Sequence, residues 1–183
     1  DDDYVDLLAR DVSLLTSKTF RSFKNIWGGP FLEDGTGASA YFAYSGLTGA
    51  TPDGRKDHDL FCDGTISPAV GSDTKGHTAV LNSAAKIDHV STFTQLFNQK
   101  FLPQYLSDKY KEQFAAYLRT FVDLGIHHIQ FNVVDRQTLL DAQKHPEQYK
   151  DLVVRVAGFS VYFTDLEKPV QDQIITRTEQ GFY

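Results

Sequence analysis

One cysteine, Cys62, and no methionine at all occur in 183 residues. A lone thiol rules out an internal disulfide and any cysteine-rich metal site. No apolar run approaches the roughly 20 residues needed to cross a bilayer. No signal peptide stands at the start. Net charge is −6 with no basic cluster, so the footprint of a nucleic-acid binder is missing. These absences point to a reducing, cytoplasmic setting with neither membrane nor nucleic acid as partner. The missing methionine, in a chain that opens on "DDDYVDLLARDV", reads as processing or as a segment of a longer polypeptide.

What is present suffices for a core, since 41% of the residues are hydrophobic. The spacing predicts a helix over 3–19, with Tyr4, Leu7, Leu8, Val12 and Leu15 on one face and carboxylates at its favourable end. The four acidic residues between Asp1 and Asp6 read as a solvated helix start. A region rich in glycine, proline, serine and aspartate follows, from "WGGPF" to "GSDTKGHT", and predicts turns and irregular backbone up to about residue 77. Asp63, Gly64 and Ser67 of "DGTISP" read there as a structural turn. Residues 78–183 return to order. "TAVLNSAAKID" predicts a helix with a small-residue side. "SDKYKEQFAAYLRTFVDLG" predicts a helix with Ser107 as cap and Gly125 as stop.

"HHIQFNVV" predicts a strand, "RQTLLDAQ" a helix capped by Asp135, and "LVVRVA" a second strand. Together they predict a right-handed parallel β-α-β unit. A last helix is expected from about Pro169 to Thr178, with its start ambiguous between a Thr164–Glu167 capping box and Pro169 in the first turn. His127 and His128 are adjacent on a strand, face opposite ways and cannot share a metal, so no metal site is expected. His128, Gln130 and Asn132 share a face and are candidates for cavity or loop contacts, with ordinary buried hydrogen bonding as the plain alternative.

The run "LVVRVAGFSVYF", Leu152 to Phe163, contains a glycine that packs nothing in a strand interior. An isolated glycine of this kind marks a bulge or a close contact. Here, however, "RVAGFSVYF" and "PVQDQIITRT" are preceded, in order, by "DDDYVD", "GATPDGRK", "DGTISP", "TAVLNSAAKIDH", "LFNQKF", "HIQFNVV" and "LLDAQKHPEQYKDL". This ordered set resembles the glycyl radical enzymes, the pyruvate formate-lyase-like family, across essentially the whole chain.

The resemblance implies an α/β fold, the C-terminal part of a ten-stranded α/β barrel, with a parallel β-α-β unit leading into a glycine loop. It implies that Gly158 stores a radical, because an α-carbon with no β-carbon can flatten between its two peptide units. Val154, Val156, Phe159, Val161 and Phe163 would shield it, and Arg155, Val156, Ala157 and Phe159 would support the loop. Taken alone, Arg155 reads as an outward or ion-paired residue. The thiyl cysteine of the family lies upstream of the matched region, and Cys62 reads as a buried, inert thiol.

The implied cofactor is the radical itself, installed by an activating enzyme that uses S-adenosylmethionine and an iron–sulfur cluster. The implied partners are a cysteine-bearing N-terminal part, that activating enzyme and a small-molecule substrate. The expected activity is an anaerobic lyase that eliminates water, an amine or another leaving group, or decarboxylates. It looks less like pyruvate formate-lyase itself. A free-standing glycyl radical subunit that docks on and repairs a larger enzyme is the alternative. Alone, the chain should expose apolar surface on its "HHIQFNVV" and "LVVRVA" strands.

Overall fold

A computed structural model describes residues 1–33, 40–92 and 95–181. The first helix, α1, spans Asp3–Ser22, and the Asp2 carboxylate accepts from the backbone N–H of Tyr4 and Val5 at 3.0 and 3.3 Å. Its apolar stripe forms on one face as the spacing requires, but that face is turned outward, with Tyr4 81% and Leu15 67% exposed. Polar groups hold the helix to the body. Ser17 is buried and its hydroxyl donates to the Ser91 carbonyl at 2.8 Å. The acidic start is not merely solvated: Asp1, Asp3 and Asp6 surround the Lys86 ammonium at 2.9, 2.7 and 2.9 Å. Lys86 sits at the end of α3, His77–Ala85, so the cluster pins one helix to another.

Between these helices the backbone is largely irregular, as its composition predicts, apart from a short helix α2, Ala40–Ser45. The part of that glycine-rich region in 34–39 lies outside the described residues.

The sheet is built on β1, Asn98–Phe101, a strand whose four residues are all buried. No strand is legible here in the sequence, because two amides and a lysine break any apolar pattern. A 3₁₀ turn at Asp108–Tyr110 leads into α4, Lys111–Asp123. Ser107 does not cap that helix: its hydroxyl donates back to the Gln104 carbonyl at 2.6 Å. Gly125 ends it at φ +71°, a conformation that favours glycine. β2, Gln130–Val133, then pairs parallel with β1, Asn98 opposite Gln130.

The expected parallel unit therefore exists one strand earlier, as β1–α4–β2. α5, Arg136–Lys144, is capped by Asp135, whose carboxylate accepts from Thr138 N–H at 2.7 Å. It leads to β3, Val153–Arg155, but β3 pairs antiparallel with β4, Ser160–Tyr162, and not with β2. The correction has a physical cause. The chain reverses between β3 and β4, so β4 takes one edge of β3, while on the edge toward β2 the Asn132 side chain, and not a strand, bonds the Arg155 N–H and carbonyl. α6, Lys168–Thr176, carries Pro169 in its first turn and has no side-chain cap, which settles the ambiguous start in favour of proline. β5, Glu179–Gln180, closes on β1 in parallel, giving the order β2–β1–β5.

Two apolar clusters flank this sheet. One packs Leu139, Val154, Val156, Phe163 and Ile174 between the β3–β4 hairpin, α5 and α6. The other packs Leu81, Phe97, Phe101 and Tyr117 between α3, α4 and the sheet. The strands expected to expose apolar surface do so only at Val133 and Val153. The larger exposed apolar area lies on α1 and on Ile26 and Trp27.

Candidate functional site: the glycine hairpin

The run Leu152–Phe163 is not one strand but two, folded on each other. Val154 and Val156 point inward by strand alternation and are buried, as is Ala157. The Val156 N–H donates to the Phe159 carbonyl at 3.0 Å, which closes a tight turn through Ala157 and Gly158. Gly158 has φ +82° at the third position of that turn, where only glycine and a few small polar residues sit without strain. A β-carbon there would meet the Leu96 methyl carbons at 3.7 and 3.9 Å, an ordinary contact. Conformation, not space, excludes a side chain.

The turn also corrects the expected shielding. Gly158 lies at the exposed tip and Phe159 is 42% exposed. Val154, Val156 and Phe163 fill the core beneath and do not cover the glycine.

The hairpin is docked on the sheet by side chains. Asn132 of β2 accepts from Arg155 N–H through Oδ1 and donates to the Arg155 carbonyl through Nδ2, both at 2.7 Å. One side-chain amide thereby replaces two bonds of a strand ladder. The Arg155 guanidinium donates through Nε to Gln130 Oε1 at 2.9 Å and through Nη1 to Ser160 Oγ at 3.0 Å. Arg155, Gln130 and Asn132 are thus brought together at the base of the hairpin. His128 is not. Its Nδ1 accepts from the Phe97 N–H at 3.1 Å, and burial, aided by the Arg155 charge, holds its pKa below the usual value. A neutral ring is what an acceptor nitrogen requires.

Two further residues, Asn98 and Arg177, donate to the same backbone, and Asp63 stands behind both. Asn98 of β1 donates through Nδ2 to the Val156 carbonyl at 3.1 Å and to the Asp63 carbonyl at 3.2 Å. Arg177, just past α6, donates to the carbonyls of Arg155 and Val156, each at 3.0 Å. Its Nε lies 2.5 Å from the Asp63 carboxylate, and the two side chains are only 8% and 5% exposed. Burial pushes the Asp63 carboxyl up, while Arg177 and hydrogen bonds from Ser67 and Asn98 pull it down.

From the sequence Asp63 reads only as part of a structural turn, and Asn98 and Arg177 carry no reading at all. All three are single polar residues, at positions 63, 98 and 177, and only the tertiary fold gathers them. The signal that was available was a polar pair inside the buried "LFNQKF" and an arginine directly after an apolar helix. Cys62 is half-buried, and burial together with the neighbouring Asp63 charge raises its thiol pKa, which keeps it protonated. Among the described residues no cluster of three or more metal-ligating side chains exists.

A family model described as "Glycine radical" matches residues 62–164, more than half of the chain. The chain belongs to the glycine radical family. It is similar to the trans-4-hydroxy-L-proline dehydratase of Clostridioides difficile, 40% identical over 183 residues, covering all of this chain and 23% of that protein. It is also similar to the indoleacetate decarboxylase of Tractidigestivibacter scatoligenes, 37% identical over 180 residues, covering 98% of this chain and 20% of that one. Among solved structures, the glycerol dehydratase of Clostridium butyricum matches with a TM-score of 0.92 and 43% identity, over 99% of this chain and 23% of its own. The chain therefore spans about a fifth to a quarter of the length of these glycyl radical enzymes. No helix among the described residues is long and apolar enough to cross a membrane.

Proposed function

We propose that this chain is the radical-bearing C-terminal part of an anaerobic, cytoplasmic glycyl radical lyase, of the dehydratase, eliminase or decarboxylase type, with Gly158 as the storage residue. The observation that carries this reading is the hairpin itself: an accessible glycine α-carbon at its tip, on backbone fixed from below by Asn98, Asn132 and Arg177. The residue fits the group. Gly158 has no β-carbon to oppose flattening, and outside its chain neighbours the nearest atoms to that side of it are the apolar methyls of Leu96. If installed by an S-adenosylmethionine and iron–sulfur activating enzyme, the radical would supply hydrogen-atom abstraction: the Gly158 α-carbon would take the hydrogen atom of a cysteine thiol outside this chain, and the resulting sulfur radical would take one from a small-molecule substrate.

The chain's own residues hold the backbone still. The carbonyls of Arg155 and Val156 are not conjugated with the Gly158 α-carbon, so their donors orient the hairpin and leave the radical's electronic structure alone. Val156 and Ala157 anchor its inner side in the core, and Arg155 ties its two arms together through Ser160. Phe159 offers the exposed apolar flank that the cysteine-bearing part would cover.

Electron paramagnetic resonance of the anaerobically activated protein tests this. One hydrogen remains on the α-carbon, so the signal should be a doublet, and growth on α-deuterated glycine should collapse it. Gly158→Ala should give no signal. Brief exposure to air should cut the backbone at Gly158 and release the C-terminal segment. A doublet that persists in Gly158→Ala would place the radical elsewhere and end this assignment.

A further inference from the structure

We propose that Arg177, aimed by Asp63, is the positioning residue that sets where Gly158 sits; this rests on the radical-bearing reading above. The two carbonyls immediately before the Ala157–Gly158 turn receive four side-chain hydrogen bonds. Asn132 and Arg177 share the Arg155 oxygen, and Asn98 and Arg177 share the Val156 oxygen. Each asparagine holds one carbonyl. Arg177 holds both, from the two arms of one rigid planar group, and so fixes the orientation of consecutive peptide units relative to each other. Its Nη2 also donates to Gln173 Oε1 at 3.2 Å, one turn back on α6. The remaining Nε faces Asp63, whose own carbonyl is held by Asn98.

The geometry makes this group decisive for the hairpin. Among the described residues β3 pairs with no strand but β4, the hairpin's other arm, so the β-ladder ties the hairpin to itself and not to the sheet. Its seat on β1 and β2 is made of side-chain donors, and Arg177 is the donor among them that brings a charge to those two carbonyls. Charge-assisted bonds are about twice as strong as neutral ones. Asp63 lies against the Nε side of the guanidinium, opposite its carbonyl targets, and balances its charge where both side chains are buried.

The test uses Arg177→Gln, Arg177→Lys and Asp63→Asn in the whole protein. Hydrogen exchange before activation should rise about tenfold or more at the Arg155 and Val156 amides in Arg177→Gln. Exchange in α4 should be unchanged. Asp63→Asn, which keeps shape and one acceptor but loses the charge, should show a smaller rise at the same amides. Arg177→Lys should recover part of the protection, since an ammonium reaches Asp63 or one carbonyl but not both.

After activation the proposal requires a shorter lifetime for each radical formed in Arg177→Gln. A merely structural role would lower the spin count through fewer folded molecules and leave that lifetime unchanged. Unchanged hairpin exchange, an equal rise in α4, or a reduced spin count at normal lifetime would each overturn the proposal. Should Arg177→Gln fail to fold, Asp63→Asn is read by the same three measurements. Exchange needs no radical: a localised rise in a protein that never activates would sink the radical-bearing reading and leave Arg177 as the seat of the hairpin.

Discussion

Lys100 shows how one buried charge is accommodated beside the site. Its side chain is fully buried in β1, with the ammonium 3.3 Å from Glu179 Oε1, which is 30% exposed. Burial lowers the lysine pKa and the Glu179 carboxylate opposes that shift without cancelling it. Removing either partner has unequal consequences. Glu179→Gln strands a charge that water cannot reach and should cost about 1–3 kcal/mol in chemical denaturation. Lys100→Met leaves a carboxylate that can hydrate and should cost less. An inverted order would contradict the burial argument. The pH dependence has a definite sign. Below both pKa values lysine is protonated in both states. As pH climbs from the folded pKa toward about 10.4, the unfolded chain binds the extra proton, so this group makes stability rise with pH. The difference between wild type and Lys100→Met, titrated across that range, isolates the effect.

At the scale of elements, helices were legible in the sequence and strand partners were not. The amphipathic spacing of Tyr110, Phe114, Tyr117 and Phe121 and the stop at Gly125 located α4, because helix signals are local. Alternation in "HHIQFNVV" and "LVVRVA" marked extended chain and its faces, but a side-chain period of two says nothing about which strand lies alongside. The true partner of β2 was "NQKF", hidden by its buried polar residues, and the partner of β3 was its own continuation. The glycine was legible as a site, while the donors that hold it were not, since nothing local links Asp63, Asn98 and Arg177.

Two element-level consequences can be measured. Asp135 caps α5 through Thr138 N–H and Oγ1 at 2.7 and 2.8 Å. Asp135→Ala should therefore cost about 1 kcal/mol and lower the thermal midpoint by a few degrees. For the α1–α3 junction, burial would raise the Asp6 pKa, but hydrogen bonds from Lys86, Asp2 and Ser83 and the Lys86 charge outweigh it, and the net shift is downward. A depressed carboxylate stabilises above its unfolded pKa of about 3.9 and loses that contribution as pH falls through the folded value. Acidification should free α1 from α3, seen as faster hydrogen exchange at Ser17 and its neighbours, and Asp6→Asn should weaken the pH dependence of that release, with Asp1 and Asp3 still on Lys86.

For the whole molecule, the surface says that part of the fold's apolar area is meant to be covered. Tyr4, Leu8, Val12 and Leu15 form a continuous exposed stripe along α1, and Ile26 and Trp27 are 88% and 85% exposed beside its end. Scattered exposed leucines are ordinary, whereas a contiguous stripe that ends in an exposed tryptophan marks contact with another surface. The polar face of α1, by contrast, is satisfied against the body through Ser17 and the aspartates that hold Lys86. The helix is thus oriented by its polar side, with its apolar side turned outward. The relatives, four to five times longer by coverage, have chain beyond this segment to supply such a surface. Expressed as these 183 residues alone, the protein should bind a hydrophobic dye and self-associate with rising concentration in light scattering. Leu8→Glu with Val12→Glu should abolish both without unfolding the chain, since neither side chain enters either apolar cluster. In a long protein of the family whose additional chain covers the same stripe, the pair should do the opposite and destabilise it. A double variant that is soluble as the segment and fully stable in the long protein would show that this face meets water in both.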